Sequence, residues 1–388
     1  MQSPLRGQMM DMPLLISSFM QHAARHFPTT EIVSRRLEGD IHRYTYRDAE
    51  ARMRQLASAL EARGIAMGER VGTLAWNGYR HMEVYYAVGG KGSVVHTINP
   101  RLHPEQIAWI VNHAEDKMLC FDLSFLPIIE AIAPHCPTVK TWVAMCDADR
   151  MPQSNLVSLV CYEQLLAEGR KDWQWPEFDE RSAVGLCYTS GTTGLPKAAN
   201  INHYRVSAMA LGFSSVMEVK ASDRLYDCLP MYHSNGGILA TLGVLIRGGS
   251  VVIREKLSVR EFWSDIIKHN CTLFFYIGEV CRYLLNAPSS PLDRQHRIRL
   301  ICGNGLRPDI FHAFSKRFGI THIREFYGAT EGNIALFNFD SRPGAIGRIP
   351  KWAEKRFVVK VVRFDVENEM PMRDETGHCI PCKPGEIG

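Results

Sequence analysis

The sequence predicts an α/β protein whose mostly parallel sheets are covered by helices. Short apolar runs that suit buried strands alternate along the chain with segments whose apolar residues repeat at helical spacing. The connections between these segments are short, and such alternation favours parallel strands joined by crossover helices. The chain has 388 residues, 46% of them hydrophobic, and can therefore bury a sizeable core.

The first half of the chain shows the alternation element by element. Thr45 suits the N-cap of a helix and Gly64 suits its end, with apolar residues on one face between them. Further helices are predicted near residues 81–88 and from Pro104 onward. Strands are predicted at residues 71–76, 94–98, 118–121 and 139–145.

The second half repeats the pattern and ends in turns. Strands are predicted at residues 183–188, 224–229, 251–254, 272–276 and 299–302, with a helical pattern at residues 259–269. Residues 147–181 are rich in breakers and polar residues, which is typical of a link. We therefore expect a first α/β lobe with its linker at residues 1–181, a second α/β lobe at residues 182–342 and a short β-rich tail at residues 343–388.

Charge and cysteine content exclude several classes of protein. Lys and Arg number 45 and Asp and Glu 41, a net charge of +4 without a basic stripe, so nucleic acid is not an expected partner. The eleven cysteines lack secretory spacing and the first residues lack a signal-peptide layout, which predicts a cytoplasmic protein. No uncharged apolar run approaches the roughly 20 residues that span a bilayer, so any membrane contact would be peripheral. The oligomeric state is left open.

The densest functional signal is a loop of small hydroxyl residues and glycines. In order, it reads Tyr188, Thr189, Ser190, Gly191, Thr192, Thr193, Gly194, Leu195, Pro196 and Lys197. Glycines let backbone amides approach phosphate oxygens, hydroxyls add donors and the lysine adds positive charge. Leu195 and Pro196 separate the last glycine from Lys197, so the segment is not a Walker loop. It predicts a polyphosphate site, the alternative being an ordinary surface turn.

Three further segments carry residue types that suit a nucleotide and a metal ion. Residues 229–234 include His233, and residues 303–308 begin with a glycine turn. The third segment reads Tyr327, Gly328, Ala329, Thr330, Glu331, Gly332 and Asn333. Its aromatic ring, hydroxyl and carboxylate can together contact a base, a phosphate and a hard cation. A structural histidine at 233 and a surface carboxylate at 331 are the ordinary alternatives.

In this order, the four segments resemble the motifs of the adenylate-forming ligases, the superfamily of acyl-CoA synthetases, luciferases and peptide-synthetase adenylation domains. The resemblance implies the large N-terminal domain of that fold. It also implies ATP and Mg²⁺ as cofactors and CoA as a co-substrate. Residues 226–230, 275–286 and 378–382 are similar to the fatty acid transport proteins, which are very-long-chain acyl-CoA synthetases. Residues 73–81 and 96–102 are similar to the soluble medium-chain ligases. The resemblance thus changes from one family branch to the other near the phosphate loop. Either a recombined or engineered hybrid chain or an uncommon natural branch of the family would explain this change.

The resemblance also implies a role for each matching residue. Nucleotide binding would fall to Thr189, Ser190, Gly191, Thr192, Thr193, Gly194, Lys197, Gly303, Asn304, Gly305, Tyr327, Gly328, Ala329 and Thr330. The residues expected to act in catalysis are Thr330, Glu331, Lys197 and His233, with Glu331 holding the metal. The acyl site would be lined by His233, Tyr276, Ile277, Gly278 and Val280.

The expected function is therefore that of a fatty-acid–CoA ligase, with a fatty acid, ATP and CoA as its substrates. The chain ends before the family's ribose-binding aspartate, hinge and smaller C-terminal domain, which implies impaired turnover. Two alternatives stay open. One is a non-catalytic fragment that binds ATP or fatty acid, and the other is a ligase for another carboxylic acid.

Overall fold

The computed structural model describes residues 10–189, 196–330 and 334–388, and the predicted alternation of strands and helices is present throughout the first two ranges. The helices are α1 Ile16–His26, α2 Tyr46–Ala62, α3 Tyr79–Gly90, α4 Pro104–Ala114, α5 Leu126–Ile132, α6 Tyr162–Glu168, α7 His203–Val216, α8 Thr241–Leu245, α9 Phe262–Lys268, α10 Gly278–Asn286 and α11 Pro308–Phe318. A π-helical turn, Asn235–Ala240, leads directly into α8.

The strands fall into two large sheets and one small sheet. They are β1 Glu31–Arg35, β2 Ile41–Thr45, β3 Arg70–Leu74, β4 Val94–Thr97, β5 Met118–Phe121, β6 Thr141–Ala144, β7 Leu159–Cys161, β8 Ala183–Thr189, β9 Lys197–Asn202, β10 Arg224–Asp227, β11 Ser250–Ile253, β12 Leu273–Ile277, β13 Leu300–Asn304, β14 Ile323–Tyr327, β15 Leu336–Asn338, β16 Phe364–Asp365 and β17 Met370–Pro371.

Both large sheets are mostly parallel, as the short connections predict. The first has the order β7-β6-β5-β3-β4-β8-β9, and only its edge strand β9 is antiparallel to its neighbour. The second has the order β15-β14-β13-β12-β10-β11-β1-β2, with antiparallel strands only at its two edges. The predicted α/β class is confirmed.

Strand pairing crosses the predicted lobe boundary at residue 181. Strands β8 and β9 follow that boundary but complete the first sheet, and the early hairpin β1-β2 joins the second sheet through β11. Residues 147–181, predicted as a link, contain β7 and α6. Periodicity in the sequence identifies strands but carries no information about which sheet a strand joins. The division into domains itself stays a prediction.

The helix signals in the sequence act as predicted at α2. The Thr45 side chain accepts a hydrogen bond from the Asp48 amide, and the Asp48 carboxylate accepts one from the Thr45 amide, which together form a capping box. Past the other end of the helix, Gly64 has a φ of +79°, in the left-handed region that glycine tolerates. These contacts fix where α2 begins and ends.

One continuous apolar core connects the two large sheets. It contains Val71, Val95 and Val184 from the first sheet and Val33, Leu225 and Ile301 from the second, with Met53 of α2 and Tyr86 of α3 between them. A second cluster, which includes Ile107, Ile110 and Ile129, covers the other face of the first sheet with α4 and α5. This shared core holds the two sheets together.

The tail is β-rich in short pieces, as predicted. Strands β16 and β17 pair only with each other, and isolated bridges join Val362 to Pro381 and Arg373 to Cys379. Among the described residues, no helix is both long and apolar enough to cross a bilayer.

Candidate active site

The predicted functional segments of the second sheet collect at one edge. β10, β12, β13 and β14 run parallel, and the segments that contain His233, Ile277, Asn304 and Tyr327 lie at or directly after their carboxyl ends. The register pairs Tyr276 with Gly303 and Ile277 with Asn304 on adjacent strands. In open parallel sheets, ligands bind in the crevice at this edge.

The glycine turn packs too closely on β12 to accept a side chain. A Cβ placed on Gly303 would collide with the Tyr276 backbone and ring, and one placed on Gly278 would collide with the Gly305 carbonyl. Gly305 itself has a φ of +81°. The glycines predicted to lie against a nucleotide are therefore also required by the contact between β12 and β13.

A buried carboxylate beneath this turn was not predicted. The Glu325 carboxylate accepts hydrogen bonds from the Leu306 amide at 2.7 Å and from the Tyr276 hydroxyl at 3.2 Å. Burial raises the pKa of Glu325, and the two hydrogen bonds oppose that shift. The available signal was an acidic residue next to the apolar Phe326 in a predicted sheet, a position where a buried carboxylate needs partners.

Apolar and aromatic surface is open above this turn. Ile277 is 41% exposed and Tyr327 is 50% exposed, although both belong to strands. Between these strands lies the half-buried Asn304, whose Oδ1 atom is buried and has no hydrogen-bond partner among the described residues. An aromatic face beside an apolar side chain and an unused amide oxygen suits a planar ligand with a hydrogen-bond donor.

The segment before His233 is held by side chains from the first half of the chain. Asn77 donates a hydrogen bond to the Leu229 carbonyl at 2.8 Å and accepts one from the Met231 amide at 2.7 Å. The Tyr85 hydroxyl donates to the Met231 carbonyl, and Thr97 Oγ1 donates to the Tyr232 carbonyl at 2.9 Å. Sequence analysis did not identify Asn77 as a site residue, because these contacts join positions far apart in the chain.

His233 presents its ring at the surface next to Tyr232, with the two ring centroids 4.6 Å apart. Desolvation by surrounding protein, and then the positive charge of Arg101, lower the pKa of His233. The glycines after it allow the tight return of the chain, since a Cβ on Gly236 would collide with Leu229 and one on Gly237 with Met231 and Tyr85. The backbone that leads to His233 is therefore held by residues of the first half of the chain, and the pKa of its imidazole is lowered.

The base of the predicted phosphate loop lies at the edge of the first sheet. Thr189 pairs with Lys197 across β8 and β9, and the Lys197 side chain is exposed. The Arg205 guanidinium, in the first turn of α7, donates to the Ala329 carbonyl at 3.2 Å. This contact connects the helix after the loop with the segment of Tyr327, Gly328 and the half-buried Thr330.

Several predicted site residues lie outside the described residues. These are Ser190, Gly191, Thr192, Thr193, Gly194 and the predicted metal ligand Glu331. Within the described ranges, no group of three or more His, Cys, Asp and Glu side chains could hold a metal ion. Of the residues predicted to line the acyl site, Tyr276 and Val280 are buried and Gly278 is half-buried.

Helix-covered parallel sheets with nucleotide-type motifs at a carboxyl edge define a nucleotide-binding α/β enzyme domain. More specifically, the chain belongs to the family of AMP-binding enzymes, whose profile matches residues 20–387. The superfamily inferred from the four motifs is thereby confirmed.

Curated relatives come from both branches inferred from the sequence. The chain is 34% identical over 347 residues to long-chain fatty acid transport protein 1 of Mus musculus, covering 89% of this chain and 53% of the relative. It is 43% identical over 381 residues to the 3-methylmercaptopropionyl-CoA ligase of Ruegeria pomeroyi, covering 97% and 70%. It is 42% identical over 329 residues to a medium-chain-fatty-acid–CoA ligase of Ectopseudomonas oleovorans, covering 84% and 60%. The chain spans about half the length of the transport proteins it matches.

A solved structure supports the fold. The anthranilate CoA ligase AuaEII, crystallised with anthranoyl-AMP, superposes with a TM-score of 0.79 at 20% sequence identity, covering 96% of this chain and 68% of that chain. At this identity the likeness concerns the fold alone.

Proposed function

We propose that the chain forms the acid-activating domain of a fatty-acid–CoA ligase. In the first half-reaction, a carboxylate oxygen of the acid attacks the α-phosphorus of ATP, forming an acyl–phosphate bond as the bond to pyrophosphate breaks. In the second, the CoA sulfur attacks the acyl carbonyl and AMP leaves. The observation that carries the proposal is the collection of His233, Ile277, Asn304 and Tyr327 at one sheet edge.

Each residue is proposed to have the role that its motif implies. Exposed Tyr327 and the turn that includes Asn304 would bind the adenine, because they offer an aromatic face and an amide oxygen. Lys197 would offset phosphate charge, and Thr330 would donate its hydroxyl to the α-phosphate. His233, with its lowered pKa, would stay mostly neutral near neutral pH, so it could lie beside an acyl carboxylate without forming an ion pair.

Glu331 is proposed to bind Mg²⁺, because its carboxylate is a hard oxygen ligand of the kind that this ion prefers. When bound, the ion would supply positive charge to the phosphate oxygens. Tyr327, four positions earlier in the same motif, pairs with Leu336 of β15 at the end of β14.

The acid is proposed to be a fatty acid, with chain length open. The fatty acid transport proteins and the medium-chain ligase among the relatives support this choice. A short thioether acid is the second candidate, because the 3-methylmercaptopropionyl-CoA ligase matches 97% of this chain at 43% identity. We further propose a cytoplasmic location, supported by cysteine spacing that is not of the secretory kind.

The test is ATP–pyrophosphate exchange with Mg²⁺ and a panel of acids that includes medium-chain, long-chain and very-long-chain fatty acids and 3-methylmercaptopropionate. We expect acid-dependent exchange that falls at least about 10²-fold in Lys197→Ala, because the protein loses the positive charge proposed to stabilise the phosphates in the transition state. Lys171→Ala, which removes another exposed lysine, is the matched control. Equal exchange by both variants would contradict the role of Lys197.

The panel also separates the alternatives. Exchange with 3-methylmercaptopropionate but with no fatty acid would replace the fatty-acid assignment with the second candidate. Retained ATP binding without exchange for any acid would favour a non-catalytic, binding-competent domain. Thioester formation, measured with CoA in the same reaction, tests the second half-reaction separately.

A further inference from the structure

The Tyr188 side chain, near the carboxyl end of β8, lies outside the set of residues predicted to bind the nucleotide or the acid. It lies on the face of the first sheet that α4 covers, where it packs against Val94, Leu186 and Ala114. The side chain is only partly buried, so apolar packing alone does not account for its position. Its other contacts are polar and aromatic, and they come from β4 and α4.

Two side chains of α4 hold the Tyr188 hydroxyl and ring. The hydroxyl lies 2.7 Å from Nδ1 of His113, a distance at which a neutral imidazole nitrogen accepts a hydrogen bond from the hydroxyl. The His113 ring stacks on the Trp109 ring, with the centroids 4.8 Å apart and an angle of 20° between the planes. Trp109 also meets the Tyr188 ring edge to face, with 6.3 Å between the centroids. Tyr188 is therefore fixed at both its hydroxyl and its ring.

A buried acid–base pair lies against the same ring. The His96 ring centroid is 5.0 Å from that of Tyr188, and His96 Nδ1 is 2.7 Å from the Asp116 carboxylate, with both side chains of the pair fully buried. Burial raises the pKa of Asp116, and His96 opposes that shift. In the part of the chain that the structure describes, His96 Nε2 and Asp116 Oδ1 have no hydrogen-bond partner. Because apolar residues often fill such a space with equal or greater stability, stability alone does not explain the pair.

The opposite face of the same two strands contacts the segment before His233. Successive residues of a strand point to opposite faces of the sheet. Thr97, the last residue of β4, donates its hydroxyl to the Tyr232 carbonyl at 2.9 Å, and the Sγ atom of Cys187 lies 4.0 Å from that carbonyl. Cys187 is the neighbour of Tyr188 in β8. The ends of β4 and β8 are therefore held between the contacts of Tyr188 on one face and the candidate active site on the other.

We propose that Tyr188 is a positioning residue for Thr189 and Lys197, the described ends of the predicted phosphate loop. Tyr188 pairs with Ala198 across β8 and β9, and Thr189 pairs with Lys197 one position further along. The contacts that fix Tyr188 against α4 thereby fix the backbone from which the Lys197 side chain projects. The inference rests on the proposed function, in which Lys197 offsets phosphate charge.

The test compares Tyr188→Phe, which removes only the hydroxyl, with His113→Leu, which removes its partner. We expect each variant to raise the KM for ATP in ATP–pyrophosphate exchange by about threefold or more, the effect of one lost hydrogen bond. The KM for the preferred acid should be unchanged. His113→Asn keeps an acceptor oxygen in place of Nδ1 and should restore the KM for ATP to within about twofold of the parent value.

A double variant and a matched control separate this role from general damage to the fold. Tyr188→Phe combined with His113→Leu should raise the KM for ATP no more than either change alone, because both changes remove the same hydrogen bond. His135→Leu replaces another exposed histidine of the first half of the chain and should leave both KM values unchanged. Urea unfolding of each variant measures its stability, so that all rates are compared between folded proteins.

An unchanged KM for ATP in Tyr188→Phe would overturn the proposal. So would a lower maximal exchange rate with both KM values unchanged, because that pattern reports a smaller folded fraction rather than a displaced lysine. Titration of ATP in the absence of acid repeats the comparison without turnover. Equal ATP affinity of the parent and Tyr188→Phe would overturn the positioning role alone, whereas a parent that binds no ATP would overturn the proposed function itself.

Discussion

The Glu325 carboxylate accepts a hydrogen bond from the Leu306 amide at 2.7 Å, directly beneath the glycine turn that faces the candidate nucleotide site. The same carboxylate oxygen accepts from the Tyr276 hydroxyl, so one side chain of β14 contacts β12 and the turn after β13. One buried acid thus connects the carboxyl ends of three neighbouring strands. We regard Glu325 as a positioning residue.

Glu325→Ala should lower the free energy of unfolding by about 1–3 kcal/mol, because the buried Leu306 amide and Tyr276 hydroxyl lose their acceptor. It should also weaken ATP binding through displacement of the glycine turn. Urea unfolding and nucleotide titration measure the two effects. Tyr276→Phe is the control, since it leaves the Leu306 amide satisfied; equal loss of ATP affinity in both variants would contradict the positioning role.

Asn77→Ala should lower the rate of ATP–pyrophosphate exchange, although the Asn77 side chain bonds to protein backbone and has no proposed contact with the reacting groups. Asn77 is 4% exposed and pairs with backbone on both sides of Pro230, so its loss leaves the Leu229 carbonyl and the Met231 amide unsatisfied. We expect a loss of about 1–3 kcal/mol in stability and a lower exchange rate. Asn112→Ala, which removes a side-chain bond to the His135 carbonyl elsewhere, should leave the exchange rate of the folded protein unchanged.

Gly278→Ala should weaken nucleotide binding, because the added methyl group would collide with the Gly305 carbonyl and push the glycine turn outward. Gly212→Ala in α7 provides the comparison, since a Cβ there meets no atom within 4 Å. That change should preserve ATP affinity and slightly increase stability. Titration of ATP into both variants checks the expectation, which unchanged affinity in Gly278→Ala would refute.

Acidification should destabilise the fold partly through His81. Burial lowers the pKa of His81 from 6.5 to about 4, so its contribution is fully present above pH 6.5 and is lost as the pH falls toward 4. The full contribution is worth about 3 kcal/mol. Burial also raises the pKa of Asp122 to about 7, which acts in the opposite direction over the same range.

The His81 contribution is therefore measured as a difference. The unfolding free energy of the parent minus that of His81→Gln should fall as the pH is lowered from about 6.5 to 4, because only the parent loses the His81 contribution. Gln295→Ala, at an exposed position that carries no titratable group, should leave the slope unchanged. A parallel shift of the whole curve in His81→Gln, with no change of slope, would show that His81 does not titrate in this window.

Much of the fold is predictable because its determinants are local. Apolar runs identify the buried strands, Thr45 with Asp48 marks the start of α2, and the positive φ of Gly64 lies just past its end. The four motifs are predictable for the same reason, since each groups its chemistry within a few residues. The strand boundaries differ by a few residues, as at β3, where residues 71–76 are predicted and the strand is Arg70–Leu74.

The sequence by itself determined the α/β class, the family and the residue types offered to a nucleotide and an acid. Only the tertiary structure decided that β8 and β9 complete the first sheet, and that Asn77 and Glu325 fix the segments around the site. The physical reason is that strand order, burial and hydrogen-bond partners arise from contacts between residues far apart in the chain, whereas periodicity and motifs record only near neighbours.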